Sequence, residues 1–320
     1  MISTLPRFGG ADVLTSADVP EPIAAAHEVV IHVHAAGVNR ADILQREGHY
    51  PPPAGAPAWP GLEVSGTVVS VGGGVTQWAV GDAVCALLAG GGYAQRVCVH
   101  EDLVLPMPVG LSHEGAGGLV EAACTVWSTF DAADARAGQT LLVEGGSGGV
   151  GHIAVQLGIA MGMRVLTTAR GPQRVQRCEE WGATGIDYAR EDVMARVRAE
   201  GGADVILDVL GAGALDDHLR MLRTGGTLAV IGLQKGVRGE LDLGRLLALR
   251  ARIVGTTLRS RPHEDKARIV RGVRDHVWPL VPERVRPVVH ATYPLERAGD
   301  AHRALESGKV FGKVVLIPPP

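Results

Sequence analysis

The sequence predicts an α/β protein with two domains, a β-rich domain and a doubly wound domain built on a parallel sheet. The chain has 320 residues, more than one ordinary core holds. Before about residue 124, apolar and polar residues alternate with the period of half-buried strands. Beyond it, strand patterns alternate with helix patterns, which indicates parallel strands joined by helical crossovers.

The first domain is predicted to span residues 1–123 and to be completed by about residues 288–320. Glycine clusters punctuate its strand patterns as turns do, and the proline run after Tyr50 excludes a helix there. The predicted strands are His27–His34, Leu62–Val71, Tyr93–Val99, the β-like stretch Arg286–Pro294 and Lys313–Ile317.

The second domain is predicted to span residues 124–287. Its predicted strands are Thr140–Val143, Val165–Thr168, Ile186–Tyr188, Val205–Val209, Thr227–Ile231 and Ile253–Leu258. A helix follows the glycine loop near residue 150, and the other predicted helices are Pro172–Trp181, Asp192–Glu200, Ala214–Leu222, Leu243–Leu249 and Glu264–Val277.

Composition argues against several classes of function. A net charge of −3 and an aromatic content of 4% give neither the cationic surface nor the stacking platforms of a nucleic-acid-binding protein. The uncharged run Gly145–Met163 opens with glycines and contains polar residues, which favours a buried helix over a membrane span. The N-terminus lacks a signal-peptide pattern and the four cysteines form no CxxC pair, so free thiols and a cytoplasmic location are expected.

The strongest local motif is the G-x-G-x-x-G formed by Gly146, Ser147, Gly148, Gly149, Val150 and Gly151. It follows a predicted strand and opens a predicted helix, the context in which this pattern binds the pyrophosphate of a dinucleotide. The turn after the next strand contains no acid to hold a ribose 2′-hydroxyl, and it carries Arg170 and Arg174 instead. Because guanidinium groups bind phosphate through paired hydrogen bonds, NADPH is predicted over NADH, although solvated surface arginines are the alternative.

The order of these motifs resembles the zinc-free quinone oxidoreductases of the medium-chain dehydrogenase/reductase superfamily. The stretch from Asn39 to Pro53 (NRADILQREGHYPPP) and Leu258-Arg259-Ser260-Arg261 resemble the branch that a tumour-suppressor transcription factor induces in animals, with its bacterial relatives. The resemblance covers residues 1–317. It implies a GroES-like first domain, a Rossmann second domain, a cleft between them and a homodimer formed through the edge strand of the second domain.

No metal ligands are predicted. Zinc enzymes of this superfamily carry a Gly-His-Glu motif and a cysteine cluster, whereas this chain has Gly61-Leu62-Glu63, Asn39 near the expected first ligand and no cluster. A catalytic zinc needs three protein ligands. The alternative is a metal held by an unrelated set of the 12 histidines.

The resemblance also implies site residues. Asn39 and Tyr50 are expected beside the nicotinamide and the acceptor, where their donors would stabilise the developing oxyanion; a turn asparagine and a packed tyrosine are the alternatives. Thr125, Tyr188, Ile231, Leu233, Leu258 and Arg259 are the remaining expected cofactor contacts.

The predicted function is therefore the zinc-independent reduction of quinones or similar small electrophiles by NADPH. Reduction of an activated carbon–carbon double bond in an enone, enal or enoyl thioester uses the same cofactor and site, and the sequence separates the two poorly. A nucleotide-binding structural or RNA-binding protein is a third hypothesis, against which the net charge and the intact glycine loop argue.

Overall fold

The computed structural model describes residues 1–320 and divides them into two compact units. The first unit contains Met1–Cys124 and Leu258–Pro320, and the second contains Thr125–Thr257. The second predicted domain extended to residue 287. It ends earlier in the structure because the helix His263–His276 packs on the 3-10 helix Glu101–Leu103 and on the strand that follows, both in the first unit.

The elements up to residue 133 are β1 Ile2–Thr4, β2 Thr15–Ala17, β3 Glu28–Val38, α1 Arg40–Arg46, β4 Glu63–Val71, β5 Ala83–Leu87, β6 Arg96–His100, β7 Val104–Pro106, α2 His113–Gly117 and α3 Val120–Ala133. Those from residue 134 to 257 are β8 Thr140–Val143, α4 Gly151–Ala160, β9 Arg164–Ala169, α5 Pro172–Glu179, β10 Thr184–Asp187, α6 Val193–Ala199, β11 Ala203–Asp208, α7 Leu215–Met221, β12 Leu222–Val230, α8 Leu243–Leu249 and β13 Arg252–Gly255. The remainder are α9 His263–His276, β14 Val289–Pro294, α10 Ala298–Glu306 and β15 Lys313–Ile317. The 3-10 helices are Ala11–Val13, Glu101–Leu103, Ala212–Ala214, Trp278–Leu280 and Leu295–Arg297.

A seven-stranded sheet organises the first unit. Its order is β14-β15-β3-β4-β5-β7, and β6 also pairs with β3. The long strand β3 forms because its apolar residues Val29, Ile31 and Val33 are buried, while His32 and His34, which alternate with Ile31 and Val33 along the strand, are partly exposed. The C-terminal strand β15 pairs antiparallel with β3. This pairing brings residue 313 close to the end of β3 and therefore close to Asn39.

A six-stranded parallel sheet organises the second unit. Its order is β10-β9-β8-β11-β12-β13, which in local numbering is the order 3-2-1-4-5-6 of the doubly wound fold. Buried apolar side chains from neighbouring strands, including Leu142, Leu166, Ile186, Ile206 and Leu228, form one core. The predicted fold class is confirmed.

No helix of this chain combines the length and the apolar character needed to cross a lipid bilayer.

Candidate functional site

The glycine loop of the second unit connects β8 to α4. The backbone N–H of Gly146 donates to the Thr168 carbonyl (2.9 Å), and that of Gly148 donates to the Gly145 carbonyl (2.9 Å). A Cβ atom at Gly146 would collide with Thr167 Oγ1 on the neighbouring strand. Only glycine therefore lets β8 turn this close to β9.

The start of α4 presents unpaired backbone donors. The N–H groups of Gly149 and Val150 donate to no acceptor within the chain. A Cβ at Gly151 would collide with the Gly145 carbonyl oxygen, so a side chain cannot fill the turn. Free N–H groups and the positive end of the helix dipole attract anions. The residues present fit the pyrophosphate of a dinucleotide.

A buried polar network that the sequence analysis did not anticipate supports this loop. Thr168 Oγ1 accepts from the Gly145 N–H (2.9 Å) and donates to Glu144 Oε2 (2.6 Å). Glu144 Oε1 lies 3.2 Å from His218 Nε2, and His218 Nδ1 lies 3.7 Å from Asp208 Oδ2. Burial raises the pKa of the Asp208 carboxyl above its ordinary value. The network holds Glu144 and Gly145, the residues at which the glycine turn begins.

The two predicted phosphate-binding arginines differ in their surroundings. Arg170 directly follows β9, is exposed, and makes no hydrogen bond or ion pair within the chain. Arg174 lies in α5, is partly buried and has a partner of its own. One acid, Asp187, lies beside this turn, where its Oδ1 accepts from the Gly171 N–H (2.8 Å). That hydrogen bond lowers the pKa of the Asp187 carboxyl and commits one of its oxygens to the backbone.

The remaining second-unit residues predicted to contact cofactor fall into two groups. Tyr188 follows β10 with 52% of its surface exposed, and Ile231 and Leu233 follow β12, Leu233 at 53%. The carboxyl ends of parallel strands lie at one edge of a sheet, so these three residues and the glycine loop share that edge. Thr125 instead lies inside α3, where its carbonyl accepts from the Thr129 hydroxyl (2.7 Å).

In the first unit, Asn39 belongs to a buried ionic cluster. Its Oδ1 accepts from Lys313 Nζ (2.6 Å), and its Nδ2 donates to Glu63 Oε1 (2.9 Å). Lys313 Nζ also donates to Glu63 Oε1 (2.5 Å), and Glu63 Oε2 accepts from the Glu121 N–H (3.0 Å). Exposure is 7% for Asn39, 0% for Glu63 and 1% for Lys313. The two neighbours fix the orientation of the amide and leave one of its two N–H groups unused.

A second buried acid holds the backbone around Asn39. Asp42 Oδ2 accepts from the Asn39 N–H (2.8 Å) at the start of α1, and Asp42 Oδ1 accepts from the Gly61 N–H (3.0 Å). Tyr93 also donates its hydroxyl to Asp42 Oδ2 (3.2 Å), and the same hydroxyl lies 2.9 Å from His302 Nε2. Burial raises the pKa of Asp42 to about 6, against the lowering effect of its hydrogen bonds.

Tyr50 lies shortly beyond the end of α1 and is held by Arg259. The guanidinium lies over the Tyr50 ring, 5.2 Å from its centroid, and donates to the Tyr50 carbonyl (3.1 Å). It also donates to Gln45 Oε1 and to the Ala89 carbonyl, both at 2.7 Å. Arg259 is 5% exposed, and its neighbour Leu258 is 8% exposed. All three guanidinium nitrogens of Arg259 therefore bind protein, and its contact with a cofactor phosphate stays a prediction.

The residues at the position of the zinc family's Gly-His-Glu motif do not fit zinc. Leu62, which replaces the zinc family's histidine, is buried and has no donor atom. The only carboxylate of this motif, Glu63, is bound to the Lys313 ammonium, and an ammonium cannot be a metal ligand. With only Asn39 beside them, these residues do not supply the three ligands that a catalytic zinc requires.

Sequence reasoning missed the part played by Lys313. One signal was present, because Lys313 is the only charged residue of the otherwise apolar run Val310–Ile317. A lysine in such a strand is rarely buried without a partner. Its partners could not be found from the spacing of residues, because they lie 250 and 274 positions away along the chain.

Family models match both units. The model described as "Alcohol dehydrogenase GroES-like domain" matches residues 25–109, and the one described as "Zinc-binding dehydrogenase" matches residues 149–271. Among curated proteins, the quinone oxidoreductase of Rattus norvegicus is 33% identical over 97% of this chain and 95% of its own length.

Solved structures agree over nearly the full chain. Escherichia coli quinone oxidoreductase complexed with NADPH is 26% identical and superimposes with a TM-score of 0.87, covering 98% of both chains. The quinone oxidoreductase of Thermus thermophilus, solved alone and with NADPH, is 34% identical with a TM-score of 0.83, covering 95% of this chain and 96% of that one.

Proposed function

Since this chain belongs to the quinone oxidoreductases of the medium-chain dehydrogenase/reductase superfamily, we propose that it reduces quinones with NADPH and without zinc. Its membership of this family makes it an oxidoreductase. The observation that carries the zinc-free reaction is the Lys313 ammonium bound to Glu63 and Asn39, in the place where a zinc enzyme would need ligands.

NADPH fits the second unit. The free N–H groups of Gly149 and Val150 would hold the pyrophosphate, and the unpartnered guanidinium of Arg170 would bind the 2′-phosphate together with Arg174. Tyr188, Ile231, Leu233 and Thr125 are the further proposed contacts. When bound, NADPH supplies the hydride, and the protein supplies position and electrostatics.

The first unit would stabilise the reduced acceptor. Hydride addition leaves negative charge on a quinone oxygen, and the unused N–H of Asn39 is proposed to donate to it. Because Lys313 and Glu63 fix both ends of the amide, this donor needs no reorganisation as the charge develops. The positively charged Lys313 donates to the amide oxygen of Asn39 (2.6 Å). This charge polarises the amide and favours negative charge on an acceptor oxygen bound to its N–H. Tyr50, held by Arg259, is proposed to orient the acceptor or to donate from its hydroxyl.

A comparison of acceptors and cofactors tests the proposal. Initial rates with NADPH and NADH would be measured against a panel of quinones and enones, before and after treatment with a chelator. We expect the highest kcat/KM with NADPH and a quinone, unchanged by the chelator. Preference for enones would favour reduction of activated double bonds. Loss of activity that only zinc restores would contradict zinc independence.

We also propose that the active form is a homodimer built on the second unit. The edge strand β13 pairs only with β12, and an exposed edge is a template for another strand. Beside it, α8 has no buried residue although it is mostly leucine, and Leu247 is 77% exposed. A second copy of the chain would cover this apolar surface by two-fold symmetry. Light scattering should give twice the chain mass for the wild type and a smaller mass for Leu247→Glu. The absence of a nucleic-acid partner and the cytoplasmic location stay predictions.

A further inference from the structure

Two histidines and an aspartate from distant segments meet at the surface of the first unit. His100 ends β6, Asp102 lies in the 3-10 helix Glu101–Leu103, and His263 is the first residue of α9. The two imidazole rings meet edge to face with their centroids 4.2 Å apart. Packing of α9 on the 3-10 helix brings these segments together.

The spacing of their ligand atoms fits a small metal ion. Asp102 Oδ2 lies 3.3 Å from His263 Nε2 and 3.6 Å from His100 Nδ1, and one ligand atom from each residue falls within 4.8 Å of the others. Two ligands about 2.0–2.1 Å from a tetrahedral zinc lie about 3.3–3.4 Å apart. The three side chains therefore need little movement to bind one ion.

The residues around the three side chains also favour metal binding. Gln77 Nε2 donates to Asp102 Oδ1 (3.3 Å), which holds the carboxylate with Oδ2 towards the two rings. Such outer hydrogen bonds orient metal ligands in known sites. The side chains of His100, Asp102 and His263 are 34%, 33% and 42% exposed, so water can complete the coordination.

One contact opposes binding. The Asp102 N–H donates to His100 Nδ1 (3.2 Å), so this nitrogen is already in use. Either this hydrogen bond breaks and Nδ1 binds the ion, or the His100 ring turns so that Nε2 binds it. The first alternative keeps the present ring position. In the second alternative His100 still supplies one ligand nitrogen, because rotation about the Cβ–Cγ bond moves Nε2 to the side of the ring that Nδ1 occupies now.

We propose that His100, Asp102 and His263 form a binding site for a divalent transition metal, with zinc the best match. Two imidazoles with one carboxylate select zinc, copper or nickel over magnesium and calcium. The ion joins the start of α9 to a residue 161 positions earlier in the chain. Since that geometry exists only in the folded protein, the ion stabilises the first unit. None of the three residues contacts Asn39 or Tyr50, so the role of this site is structural and separate from hydride transfer.

Calorimetric titration of zinc into chelator-treated protein without an affinity tag tests this proposal. The expected result is one zinc per chain, binding at least tenfold weaker in His263→Ala and in Asp102→Asn, which keeps the side-chain shape. The matched control is His290→Ala, an exposed histidine outside the cluster, which should bind as the wild type does. Magnesium should not compete.

Thermal unfolding gives an independent readout. Zinc should raise the Tm of the wild type and of His290→Ala equally, and it should raise the Tm of Asp102→Asn less. Equal zinc affinity in the wild type and both cluster variants would overturn the proposal, as would stoichiometric binding lost equally in His290→Ala. Cobalt in place of zinc should give the intense visible absorption of a low-coordinate site; its absence would overturn the proposed geometry. NADPH-dependent turnover is expected to be the same with and without zinc.

Discussion

The two units build their polar sites in opposite ways. In the second unit, the proposed anion-binding groups are backbone N–H groups of one contiguous loop, Gly146–Gly151, and glycines leave room for them. In the first unit, the polar groups around Asn39 are the side chains of Glu63 and Lys313, which are far away in sequence and fully buried. The backbone site depends on glycines, whose lack of side chains leaves the N–H groups accessible. The side-chain site depends on oppositely charged residues that the fold must bring into contact.

This difference predicts that the first unit is the more sensitive to single substitutions. Lys313→Met, the largest expected effect, removes the cation and leaves Glu63 buried without its partner. Breaking a buried ion pair in this way destabilises a protein by roughly 3–5 kcal/mol. Urea unfolding of the wild type and the variant would measure the loss.

Two further variants sharpen that result. The double variant Lys313→Met with Glu63→Gln removes both charges and should recover much of the lost stability, because no unpaired charge remains. Lys309→Met, at an exposed lysine in the turn before β15, should unfold as the wild type does. Equal stability of Lys313→Met and Lys309→Met would mean that the cluster contributes nothing to folding, and the contrast between the units would fail.

The pH dependence of stability tests the burial of ionisable groups in the first unit. Burial lowers the pKa of His302 to about 3, and the positive charge of Arg46 acts in the same direction. An unfolded histidine has a pKa of about 6.5, so between that pH and the folded pKa the unfolded state binds more protons. Stability that is present above the unfolded pKa is therefore lost as the pH falls. Burial also lowers the pKa values of His34 and His113, which adds to this loss.

Asp42 opposes the trend, because its pKa is raised to about 6. Between its unfolded pKa and its folded pKa the folded state binds more protons, so this carboxyl favours the folded state as the pH falls. His302→Gln keeps a hydrogen-bonding side chain beside the Tyr93 hydroxyl and removes the titration. From about pH 7 to about pH 5 the wild type should lose about 2 kcal/mol more stability than this variant does. Parallel pH profiles of the two proteins would show that His302 is not buried as a neutral ring.

Sequence reasoning succeeded where the signal was local. The G-x-G-x-x-G motif lies on consecutive residues, and the alternation of strands and helices in the second unit is a periodic pattern, so both could be found without knowing the fold. Sequence reasoning predicts Arg259 as a cofactor contact, but it did not find the protein partners of this side chain. The structure shows that Arg259 joins Gln45, Tyr50 and Ala89. Only the packing of the first unit brings these residues together, and no spacing in the sequence encodes it.

The same argument applies to Asn39. The resemblance selected it as a donor, and its location at the start of α1 is a local property. Its partners are not local, since Lys313 arrives on the last strand of the chain. A charge in an apolar strand predicts that a partner exists, but identifying that partner requires the pairing of β15 with β3.

A smaller effect tests the arginines of the second unit that are proposed to bind the 2′-phosphate. Replacing Arg170 and Arg174 with alanine should weaken NADPH binding by roughly 1–3 kcal/mol, because charge-assisted hydrogen bonds to phosphate are lost. Binding of NADH, which lacks the 2′-phosphate, should change little. Fluorescence titration with both cofactors measures the two affinities. Arg177→Ala is the matched control, because Arg177 is an exposed arginine of α5 that is not a proposed phosphate ligand. An equal loss of NADH and NADPH affinity would mean that these arginines do not select the cofactor.

The smallest expected effect concerns Asn39 and Tyr50 themselves, and it separates the two roles of the buried cluster. Asn39→Ala removes the proposed donor and should lower kcat/KM for quinone by about tenfold. Because the amide also accepts from Lys313 (2.6 Å), a modest fall in stability is expected as well, and urea unfolding would measure it. Tyr50→Phe keeps the ring under the Arg259 guanidinium, so it removes only the hydroxyl and should leave stability unchanged.

The affinity for NADPH is the common control for both variants, and it should not change because neither side chain is a proposed ligand of the NADPH phosphates. Lys309→Met again serves as the neutral comparison. A tenfold loss in Asn39→Ala with intact NADPH affinity would assign the amide to the acceptor step. If instead quinone kinetics were unchanged while stability fell, Asn39 would be a structural partner of Lys313 and nothing more. In that case Asn39 would contribute packing rather than a donor, and the stabilisation of the reduced quinone would have to come from Tyr50 or from solvent.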